Sequence, residues 1–284
     1  MVKRILVALD PDPDTQTAIR YAIDIASRFN AQLTGLAVVD TKDIEKEAVG
    51  AGIGSLYYAE RLKERLSDEA RKIARELIQQ FQQLVDKYCQ VCHSEIIEEG
   101  VPAQRIVEDT KYHDLLIMGK SMHFFYNFPK RETGSASRII KHSACPALLV
   151  GKEEREINKV VVAYDGSTAA ASAMHHFAQI KPFGADFELE VVHVRKGDSE
   201  AERAESELLL RLAAEYLKAH GFQPQTTSIM GENPRQRLLE YLDTMQTDLV
   251  IAGAHGETKF MEIILGETAY SLIDSIDIPL FISR

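Results

Sequence analysis

The sequence lacks the features of membrane-spanning, disulfide-stabilised and nucleic-acid-binding proteins. Its 284 residues contain no apolar run near the roughly 18 residues of a membrane span, and the first nine residues are typical of a strand rather than of a signal peptide. Three cysteines do not make a disulfide framework. A formal net charge of −10 disfavours broad binding to DNA, RNA or anionic membranes. We therefore expect a cytoplasmic protein whose partners include neither nucleic acid nor membrane.

What the sequence does contain is one pattern that occurs twice. Two apolar runs begin at a lysine and end at an aspartate, Lys3–Asp10 and Lys159–Asp165. Two later segments, 113–119 and 247–253, share the pattern Asp-Leu-x-Ile-x-Gly. Because the matching segments follow one another in the same order in both halves, the chain is a tandem duplication of one unit.

Strands and helices are predicted to alternate along each copy. Continuous apolar runs such as Ile5–Leu9 are typical of strands covered on both faces, and segments with a single apolar helical face separate them. Each copy is therefore predicted as β-α-β-α-β-α-β-α-β, which gives an α/β fold with two tandem five-stranded parallel sheets. The charged connector between the copies predicts domains at 1–152 and 157–284.

Several local features can also be predicted. Thr15 is expected to cap the first helix, and residues 57–88 are predicted as a long charged helix. Residues 41–56 are predicted as a mobile loop, and residues 91–97 contain the third strand.

A glycine-rich loop is expected where the fourth strand of the second copy ends. Gly253-Ala-His-Gly256 follows an apolar strand, and Gly266 comes nine residues later. Glycines let backbone N–H groups approach an anion closely, and a following helix N-terminus adds partial positive charge. Since ligands of parallel sheets bind beyond the carboxyl ends of the strands, the aspartates that end the first strands, Asp10 and Asp165, belong to the same edge. The loop therefore predicts a site for a phosphate-bearing ligand.

The chain resembles the universal stress protein family. The resemblance rests on Asp165-Gly-Ser167 at a strand end, on the Gly-x2-Gly-x9-Gly loop that begins at Gly253, and on closing strands that begin with proline. It covers nearly the whole chain as two units. It implies Rossmann-like folds related to adenine nucleotide alpha-hydrolases, cytoplasmic residence, and an intramolecular pseudo-dimer paired through the last strands. Whether two chains also form a homodimer stays open.

The resemblance also implies a ligand. Many members of the family bind ATP, AMP or another adenine nucleotide and act in the stress response as regulators, with slow ATP hydrolysis at most. Mg²⁺ beside the nucleotide stays open, and no catalytic or metal-ligating residue is implied. Carried onto this chain, Asp165, Gly253, Gly256 and Gly266 match the family's binding residues. The predicted cofactor-binding set also includes Val194 and His255, which lie at the same edge, and Thr268, which stands one position beyond the family's serine or threonine.

Both copies depart from the family motif. Glu267 stands where the family has serine or threonine, and its carboxylate would repel a phosphate. In the first copy Asp10, Gly119, Gly134 and Ser135 match the motif. However, Met122 replaces the second glycine there, and aromatic residues follow at 124–128. The C-terminal half is therefore the better candidate for nucleotide binding. One alternative is an interaction module with decayed sites, and another is an ATP-hydrolysing or adenylating enzyme.

Two further motifs have simpler interpretations. Cys89-Gln-Val-Cys92-His93 matches the C-x-x-C-H of haem attachment, but buried structural cysteines are the plainer explanation in a protein without an export signal. His175 and His176 occupy adjacent helix positions about 100° apart. They are therefore expected to be one partly buried and one solvated histidine rather than a metal-binding pair.

Overall fold

The structure is a computed structural model. It describes residues 2–42, 44–45, 56–88, 91–122, 135–254, 272–273 and 276–284. The packing divides these residues into two compact units, 2–145 and 146–284.

In the first unit, parallel strands pair in the order β3-β2-β1-β4. Helices connect these strands, as the alternating apolar pattern predicts. The strands are β1 (Arg4–Leu9), β2 (Gln32–Asp40), β3 (His93–Gly100) and β4 (Leu115–Gly119). The helices are α1 (Asp14–Phe29), α2 (Leu56–Val85), α3 (Pro102–Thr110) and α4 (Ser135–His142).

In the second unit, the strand order is β5-β10-β9-β6-β7-β8. The strands are β5 (Ala147–Val150), β6 (Lys159–Ala163), β7 (Glu188–Arg195), β8 (Pro224–Met230), β9 (Leu249–Gly253) and β10 (Leu280–Ser283). The helices are α5 (Thr168–Ile180), α6 (Glu200–Ala219) and α7 (Pro234–Thr244). The pairings from β10 to β8 are parallel, whereas β5 pairs with β10 in the antiparallel direction.

The pairing of β5 with β10 joins the last strands of the two sequence repeats. Leu148 lies opposite Phe281, and Leu149 lies opposite Leu280. All four side chains are fully buried. This confirms the pairing of last strands that the family resemblance implies.

Buried apolar side chains on the strands and helices form the cores. In the second unit, Phe177 of α5 packs against Phe222 and Phe281, with ring centroids 6.0 and 5.4 Å apart. Burying one such side chain contributes roughly 1.5–3 kcal/mol. The aromatic cluster therefore fixes α5 against the sheet, and the first turn of α5 leads back to the strand ends.

The local predictions differ from the structure in three places. The third strand begins at His93 rather than at residue 91, and the long helix spans Leu56–Val85 rather than 57–88. Thr15 does not cap α1: the cap residue is Pro13, which offers no side-chain hydrogen bond. The Thr15 hydroxyl instead accepts the N–H of Asp10 at 3.2 Å. Most of the predicted loop 41–56 lies outside the described residues.

Candidate functional site

A tight turn at the end of β6 presents Asp165 to solvent. Gly166 has φ +79°, a left-handed backbone conformation that costs free energy for residues other than glycine. The N–H of Ser167 donates to Asp165 Oδ1 at 3.0 Å, and the Ser167 hydroxyl accepts the N–H of Ala170 at 3.2 Å as the cap of α5. The turn therefore holds the Asp165 carboxylate at the carboxyl edge of the sheet.

Val194 lies beside this turn on β7. The last paired residues of β6 and β7 are Ala163 and Val192, and Val192 accepts the N–H of Tyr164 at 2.9 Å. Main-chain groups of alternate residues point to the same neighbouring strand. The N–H and C=O of Val194 therefore face the side of β6, past the end of that strand, next to the Asp165 turn.

Gly253 ends β9, and its lack of a side chain is needed for packing. A Cβ there would lie 2.4 Å from the carbonyl carbon of Ala169 and the amide nitrogen of Ala170. The first turn of α5 thus lies directly against the end of β9. Asp165, Val194 and Gly253 belong to the carboxyl ends of three adjacent strands, β7-β6-β9.

The remaining predicted loop residues lie outside the described residues. These are His255, Gly256, Gly266 and Thr268, together with the Glu267 that departs from the family motif. In the first copy, Gly134 and the aromatic segment 124–128 also lie outside them.

His193, which precedes Val194 on β7, was not predicted from the sequence to lie near this edge. Its Nδ1 lies 2.8 Å from the hydroxyl of the fully buried Ser206, whose oxygen is 2.7 Å from that of Ser228. Burial lowers the pKa of the half-buried His193, while the negative charges of Asp165 and Glu205 raise it. A histidine near the end of a predicted strand is the sequence signal that could have identified it.

The corresponding edge of the first unit differs. Asp10 is only 1% exposed, whereas Asp165 is exposed. Asp10 Oδ1 accepts the N–H of Asp12 at 3.1 Å, which is a turn-forming role. Asp10 is therefore a buried carboxylate that forms its own turn.

A second buried carboxylate, Asp14, contacts the loop that follows β4. Asp14 is 0% exposed, and its Oδ2 accepts the N–H of Ser121 at 2.7 Å. A Cβ on Gly119 would lie 2.4 Å from Oδ1 of Asp14. Burial, the largest effect, raises the pKa of Asp14; the charge of Asp12 adds to the increase, and the hydrogen bond from Ser121 opposes it.

The other sequence motifs yield no ligand-binding geometry. Cys92 is exposed with a free thiol, so the expectation of a buried cysteine is wrong for it; Cys89 lies outside the described residues.

The histidine pair is placed as expected: His175 is exposed, whereas His176 is half-buried with Nδ1 2.7 Å from the Ser283 hydroxyl. Within the described parts of the chain, no three His, Cys, Asp or Glu side chains cluster as metal ligands would. No described helix is both long and apolar enough to cross a membrane.

Comparison with known proteins gives consistent matches in both halves. A family model described as the universal stress protein family matches residues 1–151 and 156–284. A universal stress protein of Synechocystis sp. is 24% identical over 298 residues and is aligned over the full length of both chains. A universal stress protein of Methanocaldococcus jannaschii is 30% identical over 159 residues, which cover 55% of this chain and 86% of that relative. The crystal structure of a universal stress protein from Archaeoglobus fulgidus shares the fold with a TM-score of 0.68 at 18% identity, covering 99% of this chain and 98% of that one.

Proposed function

Because the chain belongs to the universal stress protein family, we propose that its C-terminal half binds an adenine nucleotide and that binding serves regulation rather than rapid catalysis. The proposed contacts are Asp165, Val194, Gly253, His255, Gly256, Gly266 and Thr268. The observation that carries the proposal is the exposed Asp165 carboxylate at the edge where β6, β7 and β9 end. Mg²⁺ bound together with the nucleotide is compatible with this proposal.

The chemistry of this edge suits an adenine base. Adenine presents an amino donor and ring-nitrogen acceptors on the same side. The main-chain N–H and C=O of Val194 offer one donor and one acceptor, and the exposed Asp165 carboxylate can accept a further amino or ribose hydroxyl hydrogen bond. A phosphate would then extend towards the glycine loop that follows Gly253, where backbone N–H groups favour anions.

The difference between the two units supports a site in the second. In the second unit the strand-end carboxylate, Asp165, is exposed, and in the first unit its counterpart, Asp10, is buried in its own turn. Only the exposed carboxylate can reach a ligand without rearrangement of its turn.

Ligand-dependent thermal stability of the full chain tests the proposal. Binding to the folded state alone stabilises a protein by about 2.7 kcal/mol at a ligand concentration of 100 Kd. ATP or AMP at millimolar concentration should therefore raise the melting temperature by several degrees. Asp165→Ala should reduce that increase, and it should lower the ligand-free melting temperature only slightly, because the exposed Asp165 loses a single hydrogen bond from the Ser167 N–H.

A matched control uses another exposed acidic residue away from this edge, Glu240 of α7. Glu240→Ala should keep the full nucleotide-induced increase. If millimolar nucleotide leaves the melting temperature of the wild-type chain unchanged, the proposal is rejected.

A second candidate function is an interaction module whose nucleotide sites have decayed. The contact of Asp14 with the loop of the first unit favours this for the N-terminal half. Mass spectrometry of the purified chain distinguishes the two: nucleotide that leaves with the denatured protein would rule out decay of both sites.

A further inference from the structure

The first unit contains an acidic group at the place where its duplicated counterpart is proposed to receive a ligand anion. Ser121 lies two residues after Gly119, and by the duplication it corresponds to His255, two residues after Gly253. In loops of this kind the N–H groups that follow the first glycine bind anions. The Ser121 N–H instead donates to Asp14 Oδ2 at 2.7 Å.

We infer that Asp14 restricts the chain to a single nucleotide, because its carboxyl group occupies the strand-four loop of the first unit where a ligand anion would bind. The inference rests on the proposed nucleotide binding by the second unit. Asp14 is a specificity-determining residue here, since it decides which of two duplicated edges can receive a negatively charged ligand.

Two independent features support this role. First, the Asp14 carboxylate fills the space that Gly119 leaves open, with Cγ and Oδ1 both 2.4 Å from the position of an added Cβ. Second, Oδ1 of Asp14 is buried and has no hydrogen-bond partner among the described residues. A phosphate brought to this loop would meet an N–H group that already donates to Asp14 and a buried carboxyl group that fills the adjacent space, so binding would require Asp14 to move.

At the helix position that matches Asp14, the second unit has Ala169. Its helix α5 begins with Thr168, Ala169 and Ala170, and the space next to Gly253 is bounded by main-chain atoms of the two alanines. Among the described residues, a carboxylate at this helix start therefore occurs in the first copy and not in the second, and the segment Asp10-Pro-Asp-Pro-Asp14 encodes it.

A nucleotide-free measurement tests the contact itself. In NMR spectra of the full-length, ¹⁵N-labelled chain, the amide chemical shift of Ser121 should change with pH as Asp14 titrates, because the Ser121 N–H donates to that carboxylate. Asp14→Asn should abolish this titration. Asp12→Asn is the matched control: the Ser121 titration should persist with a lower midpoint, since the charge of Asp12 raises the pKa of Asp14. A Ser121 amide that does not titrate, or that still titrates in Asp14→Asn, overturns the inference.

Equilibrium dialysis with ATP tests the consequence. We expect one ATP per wild-type chain, a loss of at least about tenfold in affinity for Asp165→Ala, and no movement of the Ser121 amide when ATP is added. Two ATP per chain, or ATP binding that shifts Ser121, would overturn the role of Asp14 while leaving nucleotide binding in place. No bound ATP at all would reject the proposed function, and the inference would fall with it, whatever the amide titration shows about the contact.

Discussion

At the scale of single residues, burial decides what a polar group does. Asp165 and Asp10 end matching strands of the two copies, yet the first is exposed and the second is 1% exposed. A buried carboxylate must be satisfied within the protein, and the turn at Asp10 provides an N–H donor for it. An exposed carboxylate remains available to a ligand. The same residue type at the same position therefore forms a turn in both copies, and in the second copy it is also proposed to bind a ligand.

Histidines show the same effect on proton binding. His113 is 8% exposed; its Nδ1 lies 2.7 Å from the carbonyl oxygen of Asp109, and its Nε2 lies 3.0 Å from the Thr34 hydroxyl. Burial lowers the pKa of His113 below its ordinary value of 6.5. The folded state therefore favours neutral His113, whereas the unfolded chain binds a proton near the ordinary pKa.

We predict that the stability of the chain falls as the pH is lowered through about 6.5. In that range the unfolded state binds more protons at His113 than the folded state does, so protonation favours unfolding. His113→Gln should weaken this pH dependence and cost about 1 kcal/mol at neutral pH through lost hydrogen bonds. Urea denaturation between about pH 5 and 8 measures both effects.

His142→Gln is the control, because His142 is exposed. It should leave the free energy of unfolding at neutral pH nearly unchanged, in contrast to His113→Gln. An identical slope in the wild-type chain and in His113→Gln would contradict the assignment to His113.

At the scale of helices and strands, caps connect stability to the candidate site. Ser167 caps α5 next to Asp165, and Ser199 caps α6 in a capping box with Glu202. Both hydroxyls accept a backbone N–H of the first helical turn. Only Ser167 also belongs to the turn that positions the proposed ligand contact.

We predict that Ser167→Ala and Ser199→Ala each reduce the free energy of unfolding by about 1 kcal/mol, the usual cost of losing a cap. Only Ser167→Ala should also weaken ATP binding, because it loosens the Asp165 turn. Chemical denaturation measures the first effect and titration calorimetry the second. Equal affinity losses in the two variants would show that general destabilisation, rather than the turn, causes them.

At the scale of the whole molecule, β10 holds a central place in the second unit. It pairs with β9 on one side and with β5 on the other. Phe281 of β10 is fully buried and makes an edge-to-face contact with Phe177, with ring centroids 5.4 Å apart. The strand therefore joins the last segment of the first repeat to the core of the second.

We predict that Phe281→Ala destabilises the chain by about 3–5 kcal/mol, the range for removing a buried phenylalanine. Hydrogen exchange should quicken in the strands of the second unit, β9 and β5 included, since they lose a packed neighbour. Phe281→Leu, which keeps most of the buried volume, should cost less. Unchanged exchange in β5 after Phe281→Ala would contradict its dependence on β10.

Much of this architecture could be predicted from the sequence, because it depends on short-range and repeated patterns. Apolar runs bounded by aspartates predict the strands β1 and β6, and the recurrence of Asp-Leu-x-Ile-x-Gly predicts the duplication and hence the shared fold. Helix capping was predicted less well. Thr15 has the sequence position of a cap, but its hydroxyl accepts the N–H of Asp10 instead. The turn between β1 and α1 brings these two residues together.

The sequence by itself determined the duplicated α/β architecture, the family, and which polar residues follow the ends of the strands. These follow from hydrophobic periodicity and motif spacing, which are local properties of the chain. Only the tertiary structure decided that Asp10 is buried and Asp165 exposed, and that Asp14 contacts the Ser121 N–H from 107 positions away in the chain. The contact between Asp14 and Ser121 depends on how helix α1 packs against β4. The sequence pattern of neither segment specifies that packing.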